Sequence, residues 1–344
     1  MTKRFFAILA IFSSLSFHLL AQQGGSSVYG FLHLPNSARV GSLGGNQVGL
    51  ADGDLNLWYH NPGTLAMTEG TRQLVLNVVP YLSDINYGFV GYSQSVEKVG
   101  TLAIGIHNIN YGSFDMVDEY DQGMGTFHAR EYAILLGFAR KLTPNFTAGI
   151  TFKPVISQFE SYRSFGLAAD MGANFITNDG LFNAGIVLKN FGSQISNYNG
   201  DNEKMPTDLQ VGFSQKLAHA PFRFLLTFQG LMNWDLDYQI DESQNGSAYD
   251  TSEDDNIGLG DNILRHTVIG VEFLPSKSFN VNMGYNHRRR QELKIEEKGS
   301  TVGFSWGFGL KLYKFRFAYG SARYHLAGSS NHFSLTTNFS DWGR

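Results

Sequence analysis

The strict alternation of side chains between Val302 and Leu310 limits the possible folds of this chain more than any other feature. Every second residue there is large and apolar, and the residues between are serine or glycine. A repeat of two residues is the period of a β-strand with one apolar face. The same alternation recurs at residues 279–286 and in further segments, whereas helical spacing of apolar residues is rare after Thr71. The sequence therefore predicts an all-β fold.

We predict about fourteen strands, and most of them reach the roughly 9–11 residues that a tilted strand needs to cross a bilayer. This count comes from the alternating segments after Thr71. The predicted strands lie near residues 71–80, 86–96, 100–110, 127–139, 146–156, 165–176, 181–190, 207–217, 222–233, 265–274, 278–287, 300–311, 314–322 and 331–339.

The connections between these strands alternate in length. Those after even-numbered strands are short, and those after odd-numbered strands are mostly longer, including 111–126, 191–206, 234–264 and 288–299. Short periplasmic turns and long outer loops are typical of an outer-membrane barrel, and lipid offers no partner to an open sheet edge. We predict a transmembrane up-and-down antiparallel β-barrel over residues 71–344, although periodicity alone also fits a soluble barrel or a large sandwich.

The first 21 residues have the pattern of a signal peptide. Lys3 and Arg4 precede an apolar stretch from Phe5 to Leu20, and Ala21 ends it. Serine residues interrupt that stretch, which is too short to span a bilayer. The chain contains no cysteine, so a lipid-modified cysteine and a disulfide framework are both excluded. We expect residues 1–21 to direct export and to be removed.

The composition fits an exported β-barrel and excludes a nucleic-acid partner. Beyond the predicted signal peptide, 24 basic residues stand against 30 acidic ones, which leaves no basic surface to attract phosphates. Phenylalanine and tyrosine are abundant, at 28 and 16 residues, and proline is scarce, at 8. Such usage favours strands.

Residues 22–70 follow a different pattern from the barrel. The stretch from Ser37 to Gly45 is rich in small residues, and Asn61-Pro62-Gly63 is a turn signal. Apolar residues such as Leu55 and Trp58 argue against a disordered leader. The predicted lumen positions leave space because they carry little bulk, namely Gly137, Gly284, Gly303, Ser305, Gly307 and Gly309. Our hypothesis is an N-terminal plug inside the barrel.

No residue pattern points to catalysis or to a cofactor. Gly303-Phe304-Ser305-Trp306-Gly307 matches the G-x-S-x-G motif of hydrolases, but that motif requires a sharp strand-to-helix turn and here lies within a predicted strand. The histidines show no metal-binding spacing. We therefore expect a non-enzymatic protein without metal or cofactor.

Two charged segments are candidates for partner binding. The predicted loop 234–264 contains no Lys or Arg, and its acidic residues include Asp241, Glu242, Asp250, Asp254 and Asp255. Its spacing approaches that of a calcium loop, but Asp255 stands where glycine is required. A solvated acidic loop is the simpler interpretation, and exposed loops on a rigid scaffold often bind partners.

The second charged segment is the run Arg288, Arg289 and Arg290 beside a predicted strand end. Arginine binds phosphate with two parallel hydrogen bonds, so a phosphate of lipopolysaccharide is one candidate ligand. Pairing with acidic residues that follow, such as Glu292, is the other. The sequence leaves both open.

The residues before the barrel resemble the N-terminal signature of the PorV/PorQ family. That family is similar in turn to the FadL-type fourteen-stranded barrels, in which an Asn-Pro-Ala motif stands where this chain has Asn61-Pro62-Gly63. Residues 217–223 also resemble a stretch found in part of the family. The matching positions are Pro35, Ser37, Ala38, Arg39, Leu43, Gly44, Gly45, Asn61 and Pro62.

The resemblance implies a role in the type IX secretion system of Bacteroidota. Such a protein would hold the surface protein PorZ within an attachment complex that also contains PorU and PorV, where cargo is processed and joined to lipopolysaccharide. The likeness to FadL-type barrels implies an alternative, an outer-membrane channel for hydrophobic molecules.

Overall fold

Fourteen antiparallel strands form a closed barrel in the part of the chain that the structure describes. The structure is a computed structural model, and it describes residues 27–117, 120, 122–198, 200, 202–234, 258–293, 301–325 and 328–342. Each strand pairs with its neighbours in sequence, and β1 pairs with β14 to close the barrel. This confirms the predicted fold class and strand count. The strands are β1 Arg72–Leu82, β2 Ile85–Val96, β3 Gly100–Val117, β4 Gly123–Thr143, β5 Phe146–Phe159, β6 Tyr162–Ile176, β7 Phe182–Ser196, β8 Asp208–Lys216, β9 Phe222–Phe228, β10 Thr267–Phe273, β11 Phe279–Asn286, β12 Phe304–Leu312, β13 Phe315–His325 and β14 Gly328–Asn338.

The two faces of the wall differ as the alternation predicts. In β12, Phe304, Trp306 and Phe308 point outward and are 54%, 51% and 41% exposed. Ser305, between the first two, is buried on the inner face. An outer apolar band suits contact with lipid. None of the helices among the described residues is long and apolar enough to cross a membrane.

The connections sort onto the two ends of the barrel. The short turns after the even-numbered strands lie at the end where β1 begins and β14 ends, which we call the short-turn end. The opposite, long-loop end carries the longer connections after β7, β9 and β11. It also carries two helices, α2 (Leu259–Arg265) and α3 (His287–Leu293), whereas α1 (Ala38–Ser42) precedes the barrel.

The predicted loop at 111–126 is wrong. Strand β3 continues to Val117, and β4 begins at Gly123. Tyr111 and Gly112 lie opposite a single residue of β4, and Gly112 has a φ of 95°, so this glycine forms a β-bulge and not a loop. Pairing resumes beyond the bulge and is supported by stacking of Phe114 on Phe127, with ring centroids 5.2 Å apart.

Other strand ends also differ from the prediction: β7 continues to Ser196 and does not stop near residue 190, and two further differences are explained by turns. Strand β9 ends at Phe228 and not near residue 233. Strand β12 begins at Phe304, because Gly303 has a φ of 91° and turns the chain. Val302, which the alternation placed on the outer face, is consequently buried. At both places a turn or an interior contact overrides the local pattern.

Labelling of single cysteines will test the orientation of the barrel, since the natural chain has none. Ser27 pairs with Lys204 in the connection between β7 and β8, which places it at the long-loop end. Glu97 is exposed in the turn between β2 and β3, at the short-turn end. If long loops face outside, a membrane-impermeant maleimide will label Ser27→Cys on intact cells and Glu97→Cys only after permeabilisation. The reverse result would invert the barrel.

Candidate functional site in the barrel lumen

Residues 27–70, called the N-terminal segment from here on, lie against the inward-facing side chains of the barrel wall. Leu32, Trp58 and Leu65 are fully buried there. The segment consists of α1 and of the 3-10 helices Gly30–His33, Leu55–Tyr59 and Pro62–Thr68, joined by tight turns. It is therefore folded along its described length, and the first five residues of the predicted plug, 22–26, lie outside the described part.

Small residues on the inner face of the wall make room for the segment. A Cβ atom added at Gly137 would lie 2.5 Å from Nε1 of Trp58, and the same indole nitrogen donates a hydrogen bond to Oγ1 of Thr151 at 2.7 Å. The backbone of the segment packs equally closely on Gly284 and Gly320. Gly303, in contrast, lies in the turn before β12 and packs on Arg290.

Backbone amides of the family-like motif dock directly onto serine side chains of the wall. The amide of Ala38 donates to Oγ of Ser334 at 2.8 Å. The amide of Gly44 donates to Oγ of Ser305 at 3.0 Å. These bonds satisfy two buried backbone N–H groups that cannot hydrogen-bond to water.

The pair Gly44-Gly45 turns the chain back after α1. Both residues have positive φ angles, 98° and 94°, which residues other than glycine rarely adopt. The amide of Gly45 donates to the carbonyl of Val40, which closes the end of the helix. The remaining motif positions of this stretch are buried, namely Pro35, Ser37, Ala38 and Leu43.

Arg39 joins the segment to the wall through a cluster of charged groups near the short-turn end. Its guanidinium donates to Glu272 at 2.8 Å, to Asp52 at 2.7 Å and to Asp54 at 3.2 Å. Arg223 of β9 also binds Asp52 and Glu272, both at 2.8 Å. Glu272 is fully buried, so its charge depends on these two arginines. We call Arg39, Asp52, Asp54, Arg223 and Glu272 the Arg39 cluster.

Asp52 of the Arg39 cluster keeps its charge over a wide pH range. Burial alone would raise the pKa of Asp52, but attraction by Arg39 and Arg223 outweighs it and holds that pKa well below its usual range. A carboxylate with a lowered pKa stabilises the fold at every pH above its unfolded value, about 4, and loses this effect only as pH falls through the lower folded value. Asp52 therefore stays ionised at neutral and mildly acidic pH.

Asn61 and Pro62 anchor the end of the segment on β5 and β6. The side-chain oxygen of Asn61 accepts from the amide of Gly63 at 3.0 Å, and its nitrogen donates to Oδ1 of Asn174 at 3.1 Å. Pro62 occupies the first turn of its 3-10 helix, where a missing N–H has no cost. The Asn-Pro-Gly signature thus acts as a helix cap and as a contact with the wall.

A second buried ionic site lies on the wall itself. Lys153 of β5 pairs with Asp170 of β6, and Lys153 also donates to Oδ1 of Asn190 at 3.0 Å. Asn190 has a φ of 53° at a bulge in β7, and its amide donates to Asp170 at 2.7 Å. Lys189, in the same bulge, lies 4.9 Å from the ring centroid of Tyr59. The bulge therefore directs polar groups of the wall towards the segment.

The hydrolase-like motif has a structural role in this fold. Ser305 faces inward from β12, accepts from the amide of Gly44 and donates to the carbonyl of Ser42 at 3.0 Å. It lies within a strand and not on a strand-to-helix turn. Among the residues that the structure describes, no group of three or more His, Asp or Glu side chains is arranged to bind a metal.

The predicted partner-binding residues are only partly described. Asp241, Glu242, Asp250, Asp254 and Asp255 lie outside the described residues. Of the arginines in α3, Arg288 pairs with Glu292 at 2.6 Å. Arg289 turns inward and donates to the carbonyl of Gly44 at 3.3 Å. Arg290 packs against Gly303. The three side chains therefore have separate surroundings.

Sequence reasoning missed the Arg39 cluster and the Lys153–Asp170 pair. Glu272, Lys153 and Asp170 all occupy inward positions of their strands. A charged residue at a position that the two-residue alternation assigns to the inner face was therefore the signal in the sequence for these buried ionic sites. Their partners are remote in sequence. Arg39 and Glu272 are 233 residues apart.

Solved structures of a toluene transporter and of a monoaromatic hydrocarbon channel share this fold. No protein-family model and no curated protein matches the chain. The toluene transporter TodX of Pseudomonas putida superposes with a TM-score of 0.51 at 12% identity over 89% of this chain and 97% of that one. The monoaromatic hydrocarbon channel CymD gives 0.50 at 12% over 89% and 96%. A FadL homologue of Pseudomonas aeruginosa is similar at a lower score, 0.47.

At this level of identity the likeness shows the fold alone. The chain has the closed β-barrel fold of these transport proteins, and the apolar outer face of this fold implies a location in an outer membrane. The predicted closed antiparallel β-barrel is therefore confirmed.

Removing Arg39 will destabilise the barrel strongly. Arg39→Ala leaves the buried carboxylate of Glu272 with one partner in place of two, and breaking a buried ion pair typically costs about 3–5 kcal/mol. The free energy of unfolding, measured by denaturant titration of the refolded barrel in detergent, should fall by that amount. Arg72→Ala, at an exposed site, should change it by less than about 0.5 kcal/mol. If Arg39→Ala lowered the free energy of unfolding no more than Arg72→Ala does, the Arg39 cluster would add nothing to stability.

The close packing of Trp58 gives a second test. Gly137→Val places methyl groups where the indole lies, and overpacking a filled interior typically costs about 1–3 kcal/mol. The same denaturant titration should detect this loss. Gly123→Val is the matched control, because a Cβ there meets nothing within 4 Å. If both variants were as stable as the natural chain, Trp58 would not fill the lumen beside Gly137.

Proposed function

We propose that this protein is a non-enzymatic outer-membrane anchor whose lumen is closed by the N-terminal segment as a plug. The observation that carries the proposal is the spread of contacts between the segment and the wall. The segment hydrogen-bonds to side chains of β5 and β6 on one side of the barrel and of β12 and β14 on the other. A solute crossing the lumen would have to displace this segment.

The energetics of the segment favour a plug that stays in place. Withdrawing it would separate Arg39 from Glu272 and expose the apolar side chains around Trp58. Both steps are unfavourable, because buried carboxylates need partners and apolar surface is driven out of water. A barrel of this kind is suited to holding other proteins at the membrane through its outer loops.

The particular anchor that we propose is a component of the type IX secretion attachment complex, of the PorQ kind within the PorV/PorQ family. It would hold PorZ at the cell surface beside PorU and PorV, while cargo is joined to lipopolysaccharide. Support for this assignment comes from the motif residues between Pro35 and Pro62. The long-loop end, with α2 and α3, is the surface that we assign to the partner.

A channel for hydrophobic molecules is the second candidate. The solved-structure comparisons support this candidate better than the anchor, because the similar proteins are a toluene transporter and a monoaromatic hydrocarbon channel. For this chain to conduct, the N-terminal segment would have to move or the solute would have to leave through the wall. The two candidates therefore differ in what the plug does.

A deletion strain will separate the two candidates. We expect its washed surface to lose PorZ, its medium to gain unattached cargo, and its uptake of a labelled long-chain fatty acid to remain unchanged. Restoring the natural gene should reverse the losses. The purified barrel, reconstituted in liposomes, should give no uptake above that of empty liposomes. Retention of PorZ together with reduced uptake would replace the anchor with the channel.

A further inference from the structure

A cavity of about 480 Å³ opens at the short-turn end, between the N-terminal segment and the inner faces of β8 and β11–β14. Arg39, Asp52 and Asp54 line its inner part. Five further lining residues are cationic and come from strand ends and turns, and we call them the cationic ring: Lys216, Lys277, Lys311, Lys314 and Arg316.

The cationic ring lacks anionic partners within the described part of the chain. None of its five members forms an ion pair there, whereas the arginines of the neighbouring Arg39 cluster each have at least two. Lys314 lies over the rings of Tyr313 and Trp342, at 4.9 and 5.5 Å. Asp341 is the one described lining carboxylate outside the Arg39 cluster, and it forms no ion pair with another described residue.

The strand register places like charges face to face in this wall. Lys311 of β12 lies directly opposite Arg316 of β13. Lys216 of β8 lies directly opposite Arg223 of β9. Like charges in directly opposed positions destabilise a sheet. Arg223 is neutralised by Glu272 and Asp52, but Lys311 and Arg316 have no such partner among the described residues. Stability alone gives no reason for this arrangement, and an anionic ligand would provide one.

The size and chemistry of the cavity indicate the kind of anion. Small-molecule sites typically have volumes of about 300–1,000 Å³, and this cavity falls within that range, so it suits a small molecule better than a folded partner. Lysine ammonium groups bind phosphate as point charges, and arginine adds paired hydrogen bonds. The short-turn end faces the periplasm in barrels of this type.

We propose that the cationic ring binds a small phosphorylated anion that enters from the periplasmic side. The phosphate can come from a soluble metabolite or from a phospholipid headgroup of the inner leaflet. Lys311 and Arg316 sit on inward strand positions, so either ligand has to enter the mouth of the barrel and not merely touch its outer edge.

Calorimetric titration of the full-length barrel in non-ionic detergent with pyrophosphate tests the proposal. Lys311→Gln/Arg316→Gln removes two charges from the ring and should raise the Kd at least roughly tenfold, because charge-assisted hydrogen bonds are lost. Lys98→Gln/Arg140→Gln is the matched control, since it removes two basic residues at the same end that do not line the cavity. It should leave the Kd unchanged.

A charge-conserving variant separates binding from folding. Lys311→Arg should bind pyrophosphate as the natural chain does. On an unheated denaturing gel, all variants should migrate at the position of the folded natural barrel. Absence of binding by the natural chain, or equal losses in the two double variants, would overturn the proposal. A hexaglutamate peptide that binds more tightly than pyrophosphate would overturn it as well, since the cavity would then prefer an acidic peptide.

Nanodiscs identify the source of the phosphate. If pyrophosphate binds in nanodiscs of phosphatidylcholine and is displaced when phosphatidylglycerol is included, a lipid headgroup occupies the cationic ring. If binding is equal in both, the ligand is a soluble anion. Either result supports the site, and loss of binding in both lipids would show that detergent created it.

Discussion

Polar groups buried on the inner face of this barrel need partners other than bulk water, and the N-terminal segment supplies many of these partners. The wall itself is closed because lipid cannot satisfy an open sheet edge. Its inner face nevertheless carries buried serines, asparagines and a carboxylate at Glu272. Arg39 neutralises that carboxylate, and the amides of Ala38 and Gly44 occupy two of the serines. Segment and wall are therefore one structure.

The barrel was predictable from sequence because its signal is local. A repeat of two residues appears within each strand, so β11 and β12 are recognisable without knowledge of their neighbours. The prediction was wrong where a glycine could form either a loop or a β-bulge. Gly112 suggests a loop in sequence and forms a bulge in the structure, because stacking of Phe114 on Phe127 sustains the pairing beyond it.

The interior was less predictable, since its contacts are remote in sequence. The small residues at Gly137 and Gly284 indicated that space existed, and Trp58 indicated that something apolar would fill it. Nothing near Arg39 in the sequence points to Glu272 or Arg223, which enter the cluster from β10 and β9. The Lys311–Arg316 pairing likewise depends on strand register, which alternation alone does not give.

The contacts between the N-terminal segment and the wall join residues far apart in the sequence, and this separation limits when they can form during biogenesis. Ala38 contacts Ser334 across 296 residues, and Gly44 contacts Ser305 across 261. Neither bond can form until the strand that carries its serine, β12 or β14, has been synthesised. Contacts of such long range carry a large loop-closure cost, so they form late in folding. The N-terminal segment is synthesised before the strands it contacts and is thus among the last parts to reach its final place, so its apolar residues stay without their barrel contacts until then.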